Sequence, residues 1–126
     1  MLGENNGREE NLIAWSKIDP DAKWSLRQYW SVMGRFDDAI RLGQEIVNES
    51  RFPPSAVRIR IYIAHDYLLT NQIDKAKELL DKAESIMKYE FGGIRRGRPD
   101  TSLWIARGEA EFYAYKSMFY LRIGKS

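Results

Sequence analysis

Apolar residues recur along this chain at helical spacing in six stretches, separated by short polar turns. Leu12, Trp15 and Ile18 share one face of a short first helix. Asp19-Pro20 then marks a start, since an Asp side chain accepts amide hydrogens of a first turn and Pro fits the first helical position. That helix runs to about Met33, with Trp24, Leu26, Tyr29 and Trp30 as its bulky residues. Gly34-Arg35 turns the chain into a helix ending near Ser50, which carries Phe36, Ala39, Ile40, Gly43, Ile46 and Val47 at helical spacing. Pro53 and Pro54 stop it. The stretch from Ser55 to about Thr70 is apolar over more than half its circumference, which predicts an inner helix. Arg58 to Ile63 taken alone alternates like a strand, but Ala64, Tyr67 and Leu68 continue at helical spacing, and helix is the reading. Asn71-Gln72 turns the chain again. Asp74 to about Tyr89 sets Ala76, Leu79, Leu80, Ala83, Ile86 and Met87 on one face and charges on the other.

Two of these stretches are copies of one another. A shift of 37 residues carries Leu26 onto Ile63, Trp30 onto Tyr67 and Gly34 onto Asn71. It also carries Phe36 onto Ile73, Asp37 onto Asp74, Ala39 onto Ala76 and Leu42 onto Leu79. A period of this length is the mark of a repeat architecture, in which each unit is too small to bury its own apolar face and relies on its neighbours.

The copies resemble the tetratricopeptide repeat. Trp30, Gly34, Phe36 and Ala39 fit that family's pattern in one copy; Tyr67, Asn71, Ile73 and Ala76 fit it in the other. Arg27 and Ile46 stand where the family has small residues, and Gly43 and Leu80 where it has an aromatic. The resemblance covers residues 20 to 90 and implies an all-α, right-handed helical repeat of α-α hairpins, about six helices in all. The expected layout is a flexible N-terminus over residues 1–8 and one domain over 9–126. Within that domain a capping helix covers 9–18, repeat one 20–50 and repeat two 55–90. A loop rich in Gly and Arg covers 91–100 and a last helix 101–123.

The resemblance also implies a concave groove that takes a peptide or a helix of a partner protein. Carried over position by position, its lining is Trp24 and Gln28 from the first repeat, then Arg58, Ile61, Tyr62 and His65 from the second. Glu111, Tyr115 and Met118 come from the last helix. Trp24 and Gln28 replace the Lys and Asn of the clamp with which some members grip C-terminal carboxylates, so an apolar or helical peptide is the expected occupant.

Composition narrows the alternatives. The chain of 126 residues is 44% hydrophobic and 30% charged, which is globular and not disordered. It has no cysteine, so disulfides and thiolate metal sites are excluded. His65 is the single histidine, with no sequence partner for metal binding or nucleophilic catalysis, and no cofactor, metal or enzymatic activity is expected. No apolar run is long enough to span a membrane, and no signal peptide is evident; a cytoplasmic location follows as the expectation. A net charge of +2 does not demand a nucleic-acid partner. Arg95, Arg96 and Arg98 in the loop, with Arg58 and Arg60, form a basic set whose ordinary reading is a solvated surface. The last helix carries Phe112, Phe119 and Tyr120 with no helix after it, and self-association through that face is expected. A non-catalytic protein-interaction module is the leading reading. A regulatory or sensor domain of a signalling or transcription protein stands second, and a nucleic-acid adaptor third.

Overall fold

The computed structural model describes residues 2–97 and 102–124. Six helices follow in order: α1 (Leu2–Ser16), α2 (Pro20–Val32), α3 (Phe36–Glu49), α4 (Pro53–Leu69), α5 (Ile73–Gly97) and α6 (Ser102–Arg122). There is no strand among the described residues, and Arg58–Ile63 lies within α4. Each helix packs against the next, and α4 also packs against α6.

The start of α2 is built as its sequence dictates. Pro20 opens the helix, and the Asp19 side chain accepts the Asp21 amide at 3.0 Å. At the end of α2, Gly34 adopts φ +83°, and 37 residues later Asn71 adopts φ +62° after α4. The same hydrogen bonds close both turns. The Arg35 amide reaches back to the Trp30 carbonyl at 2.8 Å, and the Gln72 amide to the Tyr67 carbonyl at 2.8 Å. The Gly34 amide donates to Ser31 O and the Asn71 amide to Leu68 O, each at 3.1 Å. This long bond around a left-handed residue is a C-capping motif that satisfies helix-end carbonyls. Immediately beyond, Ala39 and Ala76 are both fully buried.

Two apolar clusters form the core, and α4 is the wall between them. Ile59 and Ile63 join Leu26, Ile40, Leu42 and Ile46 on one side, with Leu12, Ile13 and Trp30 packed against them. Val57, Ile61, Ala64 and Leu68 join Leu80, Ile86, Met87, Phe91, Phe112 and Phe119 on the other. A helix that serves two cores must be apolar nearly all round, which is why its sequence is not a clean amphipath.

Three expectations are corrected. The N-terminal segment is helical from Leu2, where residues 1–8 were expected to be irregular. The Trp30 indole donates to Glu9 at 2.7 Å, Arg35 also pairs with Glu9, and Leu12 and Ile13 are seated on the first core. Extending a helix from such an anchored turn is far easier than starting one. The stretch expected as a loop from 91 to 100 is helical to Gly97. Phe91 is buried in the second core, and its ring lies 3.6 Å from where a Cβ on Gly108 would stand, so tertiary packing outweighs the glycines' poor propensity. Arg95 and Arg96 therefore lie on α5, and Arg98 lies outside the described residues. Finally, Phe112 and Phe119 are fully buried in the chain's own core, and Tyr120 packs against them. The face expected to self-associate is covered because α6 folds back onto α4 and α5.

Candidate functional site

Helices α2, α4 and α6 line an open cleft of about 470 Å³. Helix α2 contributes Arg27 and Ser31, one turn apart. Helix α4 contributes two such pairs, Ile61 with His65 and Tyr62 with Asp66. From α6 come Glu111, Ala114, Tyr115 and Met118. The walls are mainly apolar and aromatic. Two edge-to-face contacts stiffen them: His65 against Tyr115 at 5.7 Å, and Tyr62 against Trp24 at 6.3 Å.

Beneath the apolar surface lies a buried ion pair. Arg27 donates through Nη1 to Asp66 Oδ2 at 2.9 Å, and the Ser31 hydroxyl donates to Asp66 Oδ1 at 2.6 Å. Both carboxylate oxygens are thus engaged, and the pair ties α2 to α4 across 39 residues of sequence. Arg27 is 6% exposed and Asp66 0%. The Arg27 guanidinium also stands 5.1 Å from the Tyr62 ring centre, at cation–π range. Burial pushes the Asp66 carboxyl above its ordinary value, against the opposing pull of Ser31, Arg27 and His65. Burial lowers Arg27, and the neighbouring Asp66 carboxylate resists that shift.

Three buried polar atoms of this lining have no hydrogen-bond partner among the described residues: Arg27 Nε, His65 Nδ1 and the Tyr115 hydroxyl. Burial holds His65 below its ordinary 6.5, so the ring is neutral at pH 7. Burial, reinforced by Asp66, raises the Tyr115 phenol, which keeps its proton. At the rim, Arg58 Nε pairs with Glu111 at 3.2 Å. Among the described residues no group of three His, Cys, Asp or Glu side chains is placed to hold a metal. No described helix is long and apolar enough to cross a membrane.

Of the groove residues expected from sequence, the cavity brings together Ile61, Tyr62, His65, Glu111, Tyr115 and Met118. Trp24 stands behind Tyr62, Gln28 is exposed, and Arg58 acts only through Glu111. The basic set is divided, with Arg58 held by Glu111 and Arg60 donating to the Ala56 carbonyl at 2.9 Å. Sequence reasoning missed Arg27, Ser31 and Asp66. The signal was present as one charge on each of two helix faces otherwise given to apolar packing, with Arg27 standing where the 37-residue shift places Ala64. No protein-family model, curated protein or solved structure matches the chain.

Proposed function

We propose that this protein is a non-catalytic interaction module, a right-handed helical repeat of tetratricopeptide type. It takes a peptide or helix of a partner protein in the cleft among α2, α4 and α6. Two observations support the repeat: hydrogen bonds matched at 37-residue separation in both turns, and the paired buried alanines that follow them. The binding reading is carried by the cleft itself, whose wall is apolar and aromatic while several of its buried polar atoms are unpartnered. Unpartnered buried polar groups are rare in folded proteins and each calls for a reason, which a bound partner group would supply here. Aromatic side chains at such a wall are the usual anchors of peptide contacts.

The test is selection of a displayed peptide library on the protein, followed by affinity measurement on variants. Peptides bound in the cleft lose at least about tenfold in affinity on Met118→Glu or Tyr62→Ala, since each removes an anchor contact. They are indifferent to Trp15→Ala, at a half-exposed position on α1. Selected peptides that ignore Met118→Glu and Tyr62→Ala in folded protein would remove the proposal.

A further inference from the structure

The charges around the cleft are already spoken for. Asp66 neutralises Arg27 at the floor, and Arg58 neutralises Glu111 at the rim. Arg122 acts electrostatically on both His65 and Tyr115, but it is not part of the lining and sits in the exposed last turn of α6. His65 is neutral. An occupant bringing its own charge would therefore be desolvated without a counter-charge, which is costly. An uncharged occupant loses nothing on that account.

The unpartnered atoms add a second requirement. Arg27 Nε can only donate, and the Tyr115 hydroxyl keeps a proton to donate. Both residues line the cavity, and each lacks an acceptor. Ile61, Tyr62 and Met118 supply the apolar part of the wall.

We propose that the cleft selects an uncharged stretch of peptide, in which one large apolar side chain fills the cavity and an adjoining backbone carbonyl accepts from Tyr115. The proposal rests on the reading of the cleft as a peptide site and specifies its chemistry. It excludes free chain ends, acidic motifs and basic motifs as the seated residue.

Three probes separate the possibilities in one titration followed by NMR of the labelled protein. N-acetyl-leucine N-methylamide is neutral with two carbonyls. N-acetyl-leucine carries a carboxylate at pH 7, and leucine N-methylamide carries an ammonium. The expected result is that the neutral probe shifts the Met118 methyl and Tyr115 ring signals and binds at least about tenfold tighter than either charged probe. Tyr115→Phe weakens the neutral probe about three- to tenfold, the value of one hydrogen bond, without lowering the melting temperature, because the hydroxyl has no partner in the free protein. Equal or tighter binding of the carboxylate at the same signals would overturn the neutral-occupant proposal and leave the peptide cleft standing. Unchanged affinity on Tyr115→Phe would overturn the carbonyl contact. Failure of all three probes to move any cleft signal at their solubility limits would overturn the peptide reading as well.

Discussion

At their turns the hairpins α2–α3 and α4–α5 carry the same hydrogen bonds on residues 37 apart, yet two helical turns further in they diverge. Arg27 and Gly43 of the first hairpin stand where the second has Ala64 and Leu80. The substitutions compensate in volume, large for small on one helix and small for large on its partner. A Cβ on Gly43 would meet Ile63 Cγ1 at 2.6 Å and Arg27 Cδ at 3.7 Å, so the missing side chain is what lets Ile63 and the Arg27 stem occupy that space. The copied part of the pattern fixes how each hairpin closes. The diverged part decides what lies between hairpins, and in this chain it is a buried ion pair.

The largest expected effect tests that ion pair. Asp66→Ala leaves Arg27 buried without its carboxylate and should cost about 3–5 kcal/mol, read as a drop in the urea midpoint at unchanged slope. Replacing both residues by Leu should recover most of the loss, since charge and counter-charge leave together. A double variant as unstable as the single one would show that shape, not charge, sets the contact.

Gly43→Leu, which copies the second hairpin into the first, should cost roughly 1–3 kcal/mol by overpacking against the fully buried Ile63. Thermal unfolding at fixed pH measures it, and a rise in melting temperature would refute the volume exchange.

At the turns the prediction reverses, because there the copies are interchangeable. Nothing lies within 4 Å of a Cβ placed on Gly34, so only backbone strain opposes substitution. Gly34→Val should cost about 1–2 kcal/mol. Gly34→Asn, which borrows the residue of the second turn, should cost less than half of that. Equal losses would mean that the left-handed conformation is not the constraint.

The smallest effect is in pH. His65 is held below its ordinary 6.5 by burial. As pH falls, the unfolded chain takes up this proton before the folded one, so the contribution is complete above 6.5 and lost between 6.5 and the lower folded value. Asp66 is held above its ordinary 3.8 and has the opposite slope, its contribution declining as pH rises through the folded value. His65→Phe should therefore flatten the acid-side loss of stability, the slope changing by no more than about 1.4 kcal/mol for each step of one in pH, the limit for a single proton. Denaturation of both proteins from pH 7 down to pH 5 reads the histidine together with its pull on Asp66, which the substitution also removes.

The helices and turns were legible because their determinants are local. Asp19-Pro20, Gly34 and Asn71 act within a few residues of where they stand. The continuation of α5 to Gly97 was not legible, because it depends on Phe91 reaching a core completed by residues of α6. The destination of Phe112 and Phe119 was hidden for the same reason: periodicity shows that a face is apolar, not which neighbour will cover it. More than half of the cleft lining was legible, on α4 and α6. Arg27 and Asp66 were not, since their meaning lies in a partner on another helix.

The two hairpins share a turn pattern, and the volumes at Gly43 and Leu80 already set their interiors apart. The Arg27–Asp66 contact adds a difference in charge to that difference in volume. The same shift carries Arg27 onto Ala64 and Asp66 back onto Tyr29, so neither charge would find its mate if one hairpin took the other's place. A mis-stacked molecule would strand two ions in hydrocarbon, a penalty of several kcal/mol that purely greasy surfaces do not impose. Among the described residues this pair makes the α2–α4 contact different in kind from the apolar packing on either side of it.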